Sequence, residues 1–440
     1  MKKNLNSRLV NICVYTILII LLIMPFHEFI TTWLASNFGH VDLFRIWKEI
    51  ILLIITPIPV YLALKDKKIK QWLLEDKLPI LIYIFVLLCI VMGILGYVLK
   101  HVNLLALAAG LIIDLRFLLI FLITLVLTQY SDFFKKFWRQ ILVYPAIIVI
   151  LFGLAQLFLP SEFLSHFGYG KGTIPALETL DGNMTIQRVQ SFLRGANPLG
   201  AYLLLITPIF CFFSTKKRLV RIVFAVLSIV VLFFTYSRSA YIGMIVTIGI
   251  MFYFLVFKKI KYVNEHKKMI YYLLGIFSMT FLLVTVMFRN NTTFQDIVFH
   301  NSKNSGVRIS SDQARTSFLK INTRDFILHP LGQGVGVAGP ASMHNNKPPK
   351  IAENFYIQIG QETGVIGLAL FLTINIIVGY RLYLQHSDQL SLLLFASLVG
   401  ISIINMVSHA WADDTLSLIW WSFAGVALSP KLHSKSSRIS

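Results

Sequence analysis

The sequence predicts an all-α integral membrane protein of about twelve transmembrane helices, with a large extracytoplasmic loop between helices 9 and 10. Three observations carry this reading. Of 440 residues, 56% are apolar and only 14% charged, where an average soluble chain carries roughly 25% charge. The mean hydropathy is +0.73. The apolar residues also run in unbroken blocks of about 15–25, the length that crosses a bilayer's hydrocarbon. A soluble globule, a disulfide scaffold and a disordered chain are excluded, and residues 1–440 read as a single polytopic membrane domain.

The predicted spans cover roughly 9–26, 45–64, 78–99, 112–129, 139–159, 197–213, 219–235, 240–257, 269–288, 364–384, 389–408 and 414–429. The first follows MKKNLNSR and lacks a small-residue cleavage site, so it reads as a signal anchor. Basic clusters orient the rest: KDKKIK (65–70), FFKKFWR (133–139), STKKRLVR (214–221), KKIKYVNEHKK (258–268) and the tail KLHSKSSR. They alternate with sparsely charged connections, which places both termini in the cytoplasm by the positive-inside rule. The three cysteines (Cys13, Cys89, Cys211) fall inside apolar blocks and form no CxxC pair or disulfide framework.

Two outside connections are long, 160–196 and 289–363. A connection of the second length is either functional or disordered. Its aromatic residues, glycine-rich turn and helical-looking stretch favour an ordered, functional loop. No internal repeat of the kind that builds secondary transporters is visible.

Charged residues near the membrane supply the site residues. Arg238 lies in FFTYSRSAYIG, a tight polar break between two apolar spans. A guanidinium beside a helix N-terminus suits a phosphate or pyrophosphate, because two parallel charge-assisted bonds add to the amide donors. The competing reading is an arginine that snorkels to lipid headgroups. Arg188 and Arg194 precede a span that Asn197 would cap and Pro198 would open; they are substrate-binding residues or ordinary flanking basics. Asp114 and Arg116 head the fourth span two positions apart, too close in sequence to pair, so each needs a partner elsewhere.

The long loop is richest. SGVRISSDQARTSFLKINTRDFILHPLGQGVGVAGP places Arg308, Arg315, Lys320 and Arg324 in a stretch that reads as helix up to His329, with Arg315, Leu319, Asn322 and Phe326 on one face. Residues 289–363 hold eight Lys or Arg against five Asp or Glu, which suits a pyrophosphate or polyanionic substrate. GVGVAG (334–339) matches GxGxxG by letter, but no strand precedes it. Its glycines read as a tight turn with close backbone approach. In AENFYIQIGQETGVIG, Glu353, Tyr356 and Gly360 share a helical face that leads to a break at Gly364. Glu353 at the top of that helix is a desolvated general base or a complement to the helix dipole. His344 is a second possible base on a Pro-flanked tip without a visible positioning partner. Without an HExxH motif, a carboxylate-rich loop or a His/Cys cluster, no metal ligand and no cofactor is expected.

The order of these motifs resembles the O-antigen ligase/Wzy-polymerase superfamily of bacterial membrane glycosyltransferases. NPLGAYL precedes a span, YSRSAYIG joins two spans, and Arg315 precedes His-Pro-Leu-Gly-x-Gly-x-Gly. Glu-Asn-x-Tyr-Ile-x4-Glu-x-Gly-x-x-Gly-Leu closes the series. The resemblance covers about residues 185–375 and implies a GT-C-like arrangement of helices. It implies a metal-independent transfer of glycan from undecaprenyl pyrophosphate to an acceptor hydroxyl at the outer face of the cytoplasmic membrane. Arg238 and Arg315 would match the arginines that hold the pyrophosphate. Glu353-Asn354 stands where the ligase branch carries a His-Asn pair, which turns the expectation toward a polymerase of repeat units for a capsule, exopolysaccharide or teichuronic-type polymer.

On this resemblance the catalytic residues are Glu353, Arg238 and Arg315, with Arg188, Arg194, Asn197, Arg308, Asn354 and Tyr356 binding substrate. The partners are an undecaprenyl-pyrophosphate-linked glycan donor, a glycan acceptor and membrane lipid, with a flippase and a chain-length regulator as further candidates and no nucleic acid. The rivals are the ligase branch, which attaches finished glycan to a lipid or protein, and a multi-span transporter or flippase. The latter needs ionisable residues in mid-span, whereas most charges here cluster at the outer ends of spans.

Overall fold

The computed structural model describes residues 2–170, 172–180, 183–215, 217–257 and 311–432. The predicted span 269–288, the 258–268 cluster, Arg308 and most of the basic tail lie outside the described residues.

Each of the other eleven predicted spans coincides with helix. In chain order these are α1 (Lys2–Ile23), α2 (His27–Phe38), α3 (Val41–Arg45), α4 (Trp47–Ile55), α5 (Pro57–Lys65), α6 (Lys67–Glu75), α7 (Lys77–Val98), α8 (Leu104–Leu127) and α9 (Phe133–Gln156). After an irregular segment come α10 (Ala196–Phe212), α11 (Arg218–Phe234), α12 (Arg238–Leu255), α13 (Ser311–Leu328), α14 (Phe355–Leu384), α15 (Gln389–Asn405) and α16 (Asp414–Leu428). By length and composition, seven stretches among the described residues are long and apolar enough to cross a membrane, and α10, α15 and α16 are shorter apolar helices.

Local chemistry sets several helix starts. The side chains of Asp76, Asn103, Asn354, Asp388 and Asp413 each accept from a backbone amide in the first turn of α7, α8, α14, α15 and α16, which satisfies donors that have no intrahelical partner.

Three expectations change. The helix predicted from 112 begins at Leu104, where Asn103 caps it, so Asp114 and Arg116 lie well inside α8 rather than heading it. The 160–196 segment carries a short antiparallel hairpin, β1 (Glu178–Leu180) with β2 (Asn183–Arg188), so the all-α body has a small β addition. Asn197 is not a cap: α10 already begins at Ala196, after Gly195.

The helices share one bundle with two recognisable ends. At one end Tyr130 Oη donates to Leu62 O (3.1 Å), Ser429 Oγ to Leu125 O (2.8 Å) and Arg381 pairs with Asp76 (2.9 Å). The basic stretches 65–70, 133–139 and 217–221 border this end. At the other, Thr415 Oγ1 donates to Met24 O (3.0 Å), Val189 N to Phe234 O (2.9 Å) and Phe355 N to Ser408 O (3.2 Å). Between the ends, Phe117, Phe121, Trp411, Trp420 and Trp421 pack as a buried aromatic block. The described residues with a proposed chemical role lie at the second end.

Candidate functional site

Arg238 opens α12 directly after Ser237, behind a turn that holds Tyr236 at φ +50°. Arg188, at the end of β2, reaches the same turn: its Nε donates to Thr235 O (2.8 Å) and its Nη2 to Asn197 Oδ1 (2.7 Å). Glu178 on the facing strand lies 3.7 Å from Arg188 Nη1 and accepts from Ala196 N (3.2 Å), closing the start of α10 that the sequence assigned to Asn197. Gly200 lets the two helix starts meet, since a Cβ there would lie 2.7 Å from the Ala240 Cβ. Arg188, Asn197 and Arg238 are thus gathered at two adjacent helix N-termini, whose partial positive charge favours an anion.

A second pair of predicted residues meets directly. Arg315 Nε lies 2.6 Å from Glu353 Oε2, each side chain 36% exposed. Glu353 is not the top of a membrane-depth helix and shares no helical face with Tyr356. It precedes α14, at φ +48°, a left-handed conformation that costs a non-glycine residue about 1–2 kcal/mol. Asn354 is the cap: its Oδ1 accepts from Ile357 N (3.0 Å) and its Nδ2 donates to Met406 O (2.8 Å). Tyr356 turns toward α15, where its hydroxyl meets Ser402. On α13, Asn322 is buried, but Leu319 is exposed, so the predicted inward face of that helix holds only in part.

The two groups of residues are tied to one helix. Gly243 of α12 packs on Gly400 of α15, and Thr247 Oγ1 donates to Ala396 O (3.3 Å), which makes these helices antiparallel. Five residues along each helix from the Gly243–Gly400 contact, about 7.5 Å at 1.5 Å per residue, brings Arg238 level with Asn405. Asn354 bonds the next residue, Met406. The arginine-lined helix starts and the Arg315–Glu353 pair therefore border the same end of α15.

The glycine-rich loop holds this end in place. α14 breaks at Gly364 (φ +71°), as the sequence suggested. The carbonyls freed by the break, Gln361 O and Glu362 O, accept from Gln333 N (2.8 Å) and Gly334 N (3.0 Å). Gly336 N donates to Glu362 Oε1 (2.9 Å), and the Glu362 carboxyl lies beside Asp114 of α8, which accepts from Gln358 Nε2 (3.4 Å). Gly334 and Gly336 have positive φ and touch Gly96 and the Ala106 carbonyl, leaving no room for a Cβ. Asp325 anchors α13 to the same loop, accepting from Lys350 Nζ (2.9 Å), Gln361 Nε2 (2.7 Å) and Gln333 Nε2 (2.8 Å). Burial pushes the Asp325 carboxyl up, but these donors and the Lys350 charge hold it below its ordinary value.

Sequence reasoning missed a buried charged cluster. Lys48 Nζ lies 2.7 Å from Asp414 Oδ2, 3.2 Å from Glu49 Oε2 and 3.1 Å from His27 Nε2. Arg116 Nη1 lies 3.1 Å from Glu49 Oε1, and its Nη2 donates to Ala412 O (2.5 Å). The signal available was a charged residue at the start or end of each contributing span: His27-Glu28, Lys48-Glu49 and Asp413-Asp414. What could not be read was their convergence. His27, Glu28 and Asp414 approach one another closely enough to hold a metal ion, but the Lys48 ammonium already takes the cation position between His27 and Asp414. The cluster walls a cavity of about 360 Å³, which Arg194 and His344 also line. Arg194 therefore faces a different hollow from Arg188.

Comparison with known proteins places a family on this region. Residues 223–372 match the family model described as O-antigen ligase. That stretch is O-antigen-ligase-like. The match spans Arg238, Arg315, Glu353, Asn354 and Tyr356, while Arg188, Arg194 and Asn197 precede it. No curated protein gives a match to the chain. The O-antigen-ligase-like stretch together with the apolar helices makes this a multi-pass membrane protein.

Proposed function

We propose that the protein is a polysaccharide polymerase of the bacterial cytoplasmic membrane. It transfers undecaprenyl-pyrophosphate-linked oligosaccharide repeat units onto an acceptor glycan at the outer membrane face, with the site end of the bundle outward. The O-antigen-ligase-like match supports glycan transfer, and the Arg315–Glu353 pair carries the reading of the site.

Arg238 and Arg188, at two helix N-termini, suit the pyrophosphate of the donor. Arg315 is held by Glu353 in a half-exposed pair, and such pairs contribute about 0–1 kcal/mol. A pyrophosphate, with more charge and a geometry that accepts two parallel bonds, can displace the carboxylate at small cost. Donor binding would then both engage Arg315 and free Glu353 for the acceptor. In the transfer, the acceptor hydroxyl oxygen bonds to the anomeric carbon of the donor sugar. The carbon–oxygen bond to pyrophosphate breaks, and its electron pair leaves on undecaprenyl pyrophosphate. The hydroxyl proton passes to Glu353. The arginines stabilise the charge that develops on the leaving group. The left-handed backbone at Glu353 fits this role, because strain at a polar residue concentrates at functional sites.

The test is turnover of purified lipid-linked repeat unit by the purified protein. A ladder of lengthening glycan supports a polymerase; a single transfer product on a lipid or protein acceptor would replace it with the ligase reading, and no transfer by correctly folded protein would reject both.

A further inference from the structure

The cavity beside the Lys48–Asp414 cluster is used by none of the chemistry above. Its walls carry four Lys or Arg against five Asp or Glu, a near balance that disfavours pyrophosphate or any other polyanion. Three buried polar atoms of residues on these walls have no hydrogen-bond partner among the described residues: Glu28 Oε2, Arg116 Nε and Glu49 Oε2, the last ion-paired with Lys48 at 3.2 Å. Glu28 is 5% and Arg116 9% exposed, so the residues lining the cavity include a buried acceptor and a buried donor with unused hydrogen-bonding capacity, which is unfavourable unless a partner arrives. Leu105, Ala109 and Ile112, spaced along the same face of α8 as Arg116, add an apolar wall. A ligand that both donates and accepts, carries no net charge and offers a C–H face to an apolar wall fits this lining, and a sugar ring has all three properties. The volume, about 360 Å³, lies at the small end of the usual range for small-molecule sites.

We infer that this cavity is a saccharide subsite that takes an uncharged sugar ring of the glycan, with Glu28 accepting from a ring hydroxyl and Arg116 donating to one. The inference rests on the glycan-transfer reading above and adds the place where a sugar is held. Arg194 lines the cavity and stands three residues before Asn197, the Arg188 partner.

The test uses the full-length protein in lipid nanodiscs, with Cys13, Cys89 and Cys211 replaced by Ala and a single reporter, Ala108→Cys, on the cavity wall. The probe is the free oligosaccharide that mild acid releases from the cell's own lipid-linked glycans, with inorganic pyrophosphate as the control. Saturating oligosaccharide should slow maleimide labelling of the reporter roughly tenfold, as about nine-tenths occupancy requires by mass action, and pyrophosphate should not. Glu28→Gln should raise the oligosaccharide concentration for half-protection about tenfold or more, the loss of one charge-assisted bond. Unchanged labelling in protein that still transfers glycan, or protection by pyrophosphate alone, would overturn the subsite while leaving the transfer reading intact. Protection by oligosaccharide in protein whose Arg238→Ala and Arg315→Ala variants still transfer would uphold the subsite and sink the arginine roles instead.

Discussion

Arg315 Nε and Glu353 Oε2 lie 2.6 Å apart, so the residue expected to hold the leaving group and the residue expected to handle the acceptor proton are each other's partners. Their proposed roles become sequential, because neither can act while the pair is closed.

Arg315→Ala and Arg238→Ala should each abolish polymer while leaving protein levels near normal. For Arg315 the lost ion pair is half exposed and contributes no more than about 1 kcal/mol to stability. Lysine should rescue poorly, because it lacks the two-pronged geometry. Polymer immunoblots beside quantified membrane protein check this; normal polymer from both Ala variants would return the arginines to headgroup contacts.

Glu353→Gln separates proton transfer from positioning. Gln keeps the shape and a hydrogen bond to Arg315 but cannot take a proton. Turnover measured across pH should be nearly lost if Glu353 is the base. Partial activity with an unchanged pH profile would leave it a positioning role only, and full activity would remove it from the mechanism.

Gly336→Ala should damage the loop rather than the chemistry. The added Cβ would lie 2.3 Å from the Ala106 carbonyl oxygen at φ +91°, combining left-handed strain of about 1–2 kcal/mol with overpacking of about 1–3 kcal/mol. A thermal melt in detergent should fall by several degrees, and an unchanged melt would show that α8 can yield.

The Asp325 anchor should be pH-dependent in one direction. Its carboxyl is held below its ordinary value in the folded protein, so its stabilising contribution is present above the unfolded value of about 3.9. That contribution is lost as pH falls through the lowered folded value. Protease resistance of the 325–350 region should exceed that of Asp325→Asn at pH 7, and the difference should shrink as the pH falls below about 4. A constant difference would assign the anchor to packing.

Orientation is testable at described, exposed positions. Lys347→Cys should react with an impermeant maleimide on intact cells, while Lys68→Cys should react only after permeabilisation, because basic clusters stay in the cytoplasm. The reverse pattern would turn the protein over and put the proposed site on the wrong side of the membrane.

Much of the architecture was determined by sequence, because a bilayer admits few solutions: apolar blocks of spanning length must be helices, and Lys/Arg placement orders their ends. The break at Gly364 and the close-packed glycine turn were legible for a local reason, since each depends on the residue's own backbone freedom. Sequence also marked Arg188, Asn197, Arg238, Arg315 and Glu353 as polar residues at costly positions. Partnership was decided only by the tertiary structure. Asp114 and Arg116, two residues apart on α8, point to different neighbours: one meets Glu362 and the glycine loop, the other Glu49 and Asp414. Glu353 stands outside its helix because the Asn354 side chain makes the better cap, and the fold brings Arg315 to it. Lys48, His27 and Asp414 come from three distant spans and converge in one buried cluster. Pairing of this kind depends on how helices are rotated and staggered against one another, which is set by packing across the whole bundle and leaves no trace in the spacing of a single chain segment.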